Sequence, residues 1–219
     1  MPNCYPRYTT IYIMFKKINI PIASASLYVA CQLIANILST KIALLPWIHL
    51  SVDGGTIIYP LSFTVRDFVH KSCGKRVARQ VVIIAAALNV LMVLLFWLIG
   101  KMEPDPTWAF QAAYESVLMP VWRITAASII AQIISELVDT EIFSLVYKKI
   151  GDMLGVLFSN SVALVIDSVI FCGIAFIGNL PMITVWQIII TNIIIKFIIT
   201  LISIPTIKLI PETATKADI

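Results

Sequence analysis

Ser128, Gln132, Ser135 and Asp139 recur at i, i+4, i+7 and i+11 inside an apolar run, so a helix over that run is polar along one face. Tyr28, Gln32, Asn36 and Ser39 draw a similar stripe at i, i+4, i+8 and i+11 in the first apolar segment, behind the small residues Ala23, Ala25, Ser26 and Ala30. Asn160, Ala163 and Asp167 form a third stripe, and Asn192, Lys196, Thr200 and Ser203 a fourth. Long stretches of Ile, Leu and Val, without the ten-residue alternation of outer-membrane strands, predict spanning α-helices. Six segments result: Ile20 to Leu45, Thr56 to Val69, Val77 to Ile99, Val121 to Val146, Met153 to Ile177, and Met182 to Leu209. The second is short and holds Pro60 near its start and Arg66-Asp67 near its end, a broken pattern tolerated at membrane depth where it lines protein or a cavity. The third is interrupted by Gln80 and Asn89 and is expected to face lipid more than the others. Lys101 to Met119 reads as the longest loop, and Asp53-Gly54-Gly55 and Gly178-Asn179-Leu180-Pro181 as turns. The predicted fold is all-α, a polytopic membrane protein of six transmembrane helices.

Composition agrees with an integral membrane protein. The 219 residues are 59% apolar and 13% charged, with a mean hydropathy of +0.94. At about 20 residues per span, no soluble domain of useful size fits. Residues 1–19 are expected to form a cytoplasmic N-terminal tail, 20–210 the six-helix transmembrane domain and 211–219 a cytoplasmic C-terminal tail. A start at Met14 instead of Met1 would leave the short basic lead Met14-Phe-Lys-Lys. Arg7, Lys16 and Lys17, then Lys71, Lys75, Arg76 and Arg79, then Lys148 and Lys149, then Lys208 and Lys216 fall on one side if there are six crossings. The loops around Asp53, Glu103 to Glu115 and Asn179 are acidic or neutral apart from Lys101, so both termini are expected in the cytoplasm of an inner (plasma) membrane protein. The net charge of +4 therefore reports topology and implies no nucleic-acid partner. Cys4, Cys31, Cys73 and Cys172 form no ligand pattern and read as reduced packers, and no metal or organic cofactor is implied.

A charge near the bilayer centre costs about 2.5 to 3.5 kcal/mol, so the ionisable residues of the stripes need partners or a polar cavity. Asp167, Asp139 and Glu136 are the acidic candidates, and Arg123, Arg66 and Lys196 the basic ones. Lys196 needs a nearby carboxylate or carbonyl, with Asp167 the first choice. A carboxylate accepts two hydrogen bonds from an amidine-like edge, so a nitrogen-rich planar heterocycle suits the chamber. Asn36, Gln132, Asn160 and Asn192 offer neutral recognition groups. Each polar residue also admits a purely structural role as interhelical glue, and Arg123 one as a snorkelling span end. Trp47, Trp97, Trp108, Trp122 and Trp186 flank spans as interface anchors. No HExxH helix, GxSxG elbow or phosphate loop occurs, so the chain does not read as an enzyme. The other class is a non-transporting membrane scaffold, or an intramembrane hydrolase using Asp139 and Asp167.

Four stretches together resemble the queuosine precursor transporter family, also called the vitamin uptake transporter family. They are Ala35-Asn-Ile-Leu-Ser-Thr-Lys41, YPLSFTVRDFVHKSCGK (Tyr59 to Lys75), WRITAASIIAQIISELVDTEIF (Trp122 to Phe143) and SNSVALVIDSVIFCGIAF (Ser159 to Phe176). NIIIK (Asn192 to Lys196), followed by Pro205, is a weaker match. The resemblance implies a fold similar to the substrate-binding components of energy-coupling-factor vitamin importers, and import of 7-deazaguanine precursors or queuine. Family-like positions are Asn36, Lys41, Asp67, Gly74, Arg123, Asp139, Phe143, Asp167 and Lys196. Departures are Glu136 in place of Gln, Asn192 in place of Asp, Arg66 in place of Thr and Lys71 in place of Glu. The expected substrate site is accordingly Asn36, Asp67, Arg123, Gln132, Glu136, Asp139, Asn160, Asp167, Asn192 and Lys196. Partners expected are the small-molecule substrate and the lipid bilayer. Ser26 and Ala30 offer a docking face for a membrane subunit if the chain is the substrate-capture part of a multi-subunit importer, and a homodimer is the other assembly expected.

Overall fold

The computed structural model describes residues 19–46, 48–150 and 152–203. Within these, the side chains of Ile20, Asp67, His70, Lys71, Lys75, Glu136, Thr200 and Ser203, and of residues 139–141 and 143–160, lie outside the description. The expected tails, the Met14 start and Cys4 therefore fall outside the described residues.

Helix α1 (Ile20–Leu38) starts at Asn19, whose Oδ1 accepts from the Ile22 amide at 3.3 Å. Pro21 sits in the first turn, where a missing N–H leaves no bond unmade. The helix stops seven residues short of the expected Leu45. Ile42–Leu44 (β1) instead pairs antiparallel with Ser51–Asp53 (β2), in the register Ile42 to Asp53, Ala43 to Val52 and Leu44 to Ser51. This hairpin corrects the expected run of the first span to Leu45. A short apolar run has no period that separates a strand from a helix end, and Pro46 with His49 at φ +50° then reverses the chain.

A 3-10 turn over Gly54–Ile57 leads into α2 (Tyr59–Cys73). Pro60 lies in the first turn of α2 and so begins the helix rather than breaking it. Fifteen residues rise about 22 Å, less than the apolar thickness of about 30 Å. Gly74, at φ +85°, takes a backbone that other residues avoid and turns the chain into α3 (Lys75–Gly100). Ile83, Leu91, Leu94, Leu95 and Leu98 on α3 are exposed, as its apolar sequence predicts, whereas Asn89 is buried.

The expected loop after Lys101 contains a further helix, α4 (Gln111–Leu118). Gln111 Nε2 donates to Gly100 O at 3.2 Å, and Trp108 meets Tyr114 edge to face. Within the loop, the Thr107 hydroxyl and amide bond Asp105 and hold its carboxyl below the usual range. Helix α5 (Val121–Ile150) packs along α6 (Asp152–Phe176), and a turn with Gly178 at φ +86° leads to α7 (Met182–Ser203).

Among the described residues, four segments are long and apolar enough to cross a membrane: Pro21–Leu38, Arg76–Gly100, Gln111–Ser135 and Met182–Ile199. Ser161–Phe176 is a shorter apolar helix. The fold is thus a mostly helical, multi-pass membrane protein. One buried cluster joins α5, α6 and α7 through Ile124, Ala127, Cys172, Phe176, Val185 and Ile188. A second joins α1, α2 and α3 through Tyr28, Val65 and Ala85.

Candidate functional site

The α1 stripe points into the protein, and Tyr28, Gln32, Asn36 and Ser39 are each 5% exposed or less. Buried polar groups of this kind need partners, and they find them across helices. Gln32 Nε2 donates to Tyr28 Oη at 3.2 Å and to Ser62 Oγ of α2 at 3.3 Å. Gln132 on α5 donates to the same Tyr28 oxygen at 3.2 Å. Asn36 Nδ2 donates to Asn89 Oδ1 of α3 at 2.7 Å, and Asn89 Nδ2 passes on to Ala85 O at 2.9 Å.

The Asp53-Gly54-Gly55 stretch is not a surface turn, because Asp53 is 1% exposed. Ser39 Oγ donates to Asp53 Oδ1 at 2.7 Å, and Thr56 Oγ1 to Asp53 Oδ2 at 2.5 Å. The two glycines let this loop lie against the last turn of α1. A Cβ on Gly54 would stand 2.5 Å from Leu38 O, and one on Gly55 would stand 2.1 Å from Ser39 Oγ and 2.6 Å from Ala35 O. Thr56 Oγ1 also meets Asn192 Oδ1 of α7, and Asn192 Nδ2 donates to Cys172 Sγ at 3.2 Å.

Lys196 is 3% exposed, and its ammonium donates to Asp167 Oδ2 at 2.6 Å and to Ser168 Oγ at 3.3 Å. This is the pairing expected of a lysine within an apolar span. Its Nζ also lies 4.9 Å from the centroid of the Tyr59 ring, within cation–π reach. The other carboxylate oxygen, Asp167 Oδ1, is buried without a hydrogen-bond partner.

These groups converge on one hollow, lined by Asn36, Ser39, Asp53, Thr56, Asn192 and Lys196. Tyr59 and Phe171 add aromatic walls, and Ser128 a hydroxyl. The cavity volume of the hollow is about 20 Å³. That suffices for one ordered water or an ion of similar size, whereas ligand pockets run to several hundred Å³. The hollow is closed to a heterocycle in this conformation.

Of the expected site residues, Asn36, Asn192 and Lys196 line the hollow, and Asp167 stands one hydrogen bond behind Lys196. Gln132 is held on Tyr28, outside the lining. Arg123 is also outside it: Nε donates to Ile174 O at 2.6 Å and Nη2 to Ile177 O, where a cation matches the negative end of α6. Asp67, Glu136, Asp139 and Asn160 lie on α2, α5 and α6 with side chains outside those described. Asp53, Thr56 and Tyr59 escaped the sequence reading. An Asp before two glycines signals a turn, and the signal for burial was the apolar Ile and Val around it. Among the described residues, no three His, Cys, Asp or Glu side chains are grouped to hold a metal.

A family described as "Putative vitamin uptake transporter" matches residues 53–210, the segment from Asp53 through α7. The chain is also 29% identical over 159 residues to the "Probable queuosine precursor transporter" of Bacillus subtilis (strain 168), covering 69% of this chain and 68% of that protein. Comparison with solved structures gives no match. Multi-pass apolar helices around a shared polar hollow agree with a match that spans most of the chain, which belongs to the vitamin uptake transporter family.

Proposed function

We propose that the protein carries a queuosine precursor, a 7-deazaguanine or queuine, across the inner (plasma) membrane into the cytoplasm, acting as a transporter and not as an enzyme. The reading uses six crossings, with α2 as the short one alongside α1, α3, α5, α6 and α7, both termini cytoplasmic, and a fold like that of the energy-coupling-factor substrate-binding components.

The observation that carries the substrate class is the unpartnered Asp167 Oδ1, buried beside Lys196. A 7-deazaguanine offers a lactam N–H and an exocyclic amine for a carboxylate and a carbonyl for a donor. Asp167 would take the donor edge, while Lys196 or the amide of Asn36 or Asn192 would meet the carbonyl. Tyr59 and Phe171 would hold the flat faces. Because the hollow is closed, substrate entry must part the helices that line it. Asp67, Arg123, Gln132, Glu136, Asp139 and Asn160 belong to the proposal on their sequence positions.

Uptake by a precursor-dependent strain tests the reading. Hydrogen bonds to a charged group contribute about 1.5 to 3 kcal/mol, so Asp167→Ala should lower uptake at limiting precursor by about tenfold or more. Full uptake by both Asp167→Ala and Asp139→Ala would overturn the assignment. Uptake by the purified chain alone in proteoliposomes separates a self-sufficient carrier from a capture subunit.

A further inference from the structure

Asp53 is a buried carboxylate that forms no ion pair with a described residue; its partners are the hydroxyls of Ser39 and Thr56. Lys196 lines the same hollow, but Asp167 already matches its ammonium at 2.6 Å. Among these three groups, two carboxylates against one ammonium leave one negative charge, which is costly in an apolar surrounding without a counter-ion.

The place for the missing charge is built from oxygen. Asp53, Ser39, Thr56, Asn36 and Asn192 all line the hollow, and all are 3% exposed or less. Its free space, about 20 Å³, holds one water-sized particle. The last turn of α1 forms part of the wall through Ala35 and Ser39, and the C-terminal end of a helix favours cations. Carriers commonly place such helix ends and oxygen ligands around a coupling ion. A divalent ion would leave a net positive charge in place of the negative one.

We infer that Asp53, with Ser39, Thr56, Asn36 and Asn192, binds one monovalent cation, tested first as Na+, that moves with the substrate. The coupling rests on the transporter reading; the binding of the ion does not.

The purified full chain in detergent, heated without substrate, tests the site. NaCl is raised at constant ionic strength against choline chloride, and KCl is run in parallel. The unfolding midpoint should climb with Na+ and saturate, as for a ligand that binds the folded state. Asp53→Asn should lose the shift, and Thr56→Ala should need about tenfold more Na+ or greater, the loss of roughly 1.4 kcal/mol. If Asp53→Asn does not fold, binding of radioactive Na+ by wild type and Thr56→Ala gives the same comparison. No saturable response to Na+, an equal response to choline, or stabilisation by acid alone would overturn the site. Proteoliposome uptake with and without an inward Na+ gradient gives the second arm. Na+ binding with no uptake would end the reading of a self-sufficient carrier and leave the site standing. Uptake that ignores both Na+ and Asp53→Asn would end the inference and leave the transporter reading intact.

Discussion

The ammonium of Lys196 and the carboxylate of Asp167, 2.6 Å apart and at most 4% exposed, stabilise each other only as a unit. Removing one partner leaves a charge alone in an apolar interior and costs about 3 to 5 kcal/mol, while replacing both by apolar residues is often neutral. Lys196→Met and Asp167→Leu should therefore each lower the unfolding midpoint in detergent steeply. The double variant should unfold above either single one. Stability equal to the sum of the two losses would show that the residues act independently. Function separates from stability here. Asp167 Oδ1 is unpartnered, so the repaired double variant should stay inactive in uptake if that oxygen receives substrate. A double variant that is stable and fully active would make the pair purely structural.

The Gly54–Ile57 turn and the last turn of α1 touch so closely that a single methyl group decides whether they fit. Gly55→Ala puts a Cβ 2.1 Å from Ser39 Oγ and 2.6 Å from Ala35 O, and overpacking of this kind costs about 1 to 3 kcal/mol. Gly173→Ala is the control. The added Cβ would meet only Ile177 Cδ1 at 3.8 Å, and alanine favours a helix interior by about 0.5 to 1 kcal/mol. The first variant should melt lower and the second no lower than wild type; equal behaviour would place the Gly54–Ile57 turn away from α1. The same contrast explains what was legible in the chain. Helices with long apolar runs and polar stripes at helical spacing could be read, including the burial of Asn36 and Ser39 and the match between Lys196 and Asp167. A lysine inside an apolar span has few ways to be satisfied. The hairpin, α4 and buried Asp53 could not be read in this way. Ile-Ala-Leu has no period of its own, and Asp-Gly-Gly takes its meaning from α1, which lies elsewhere in the sequence until the fold brings it alongside.

Across the whole molecule, α1 to α3 share one buried cluster and α5 to α7 another, with the polar hollow where the two sets meet. A hollow too small for a heterocycle must open by moving these sets, or the hairpin and Gly54–Ile57 turn that cover it, and the side on which it opens sets the direction of transport. Charge supplies the expected orientation. Lys71, Lys75, Arg76 and Arg79 gather at the start of α3, and Glu103 and Asp105 follow its end, so the start should face the cytoplasm. In a background with Cys4, Cys31, Cys73 and Cys172 replaced, an impermeant maleimide added to intact cells should label Thr107→Cys. It should label Arg76→Cys only after the cells are opened; both positions are exposed. The proposed six crossings would return the C-terminus to the side of Arg76, so a fluorescent reporter that matures only in the cytoplasm should shine when fused there. Labelling of Arg76→Cys in intact cells would invert the protein. A dark but expressed fusion would make the number of crossings odd, and the Asp53 side would then have to be assigned afresh.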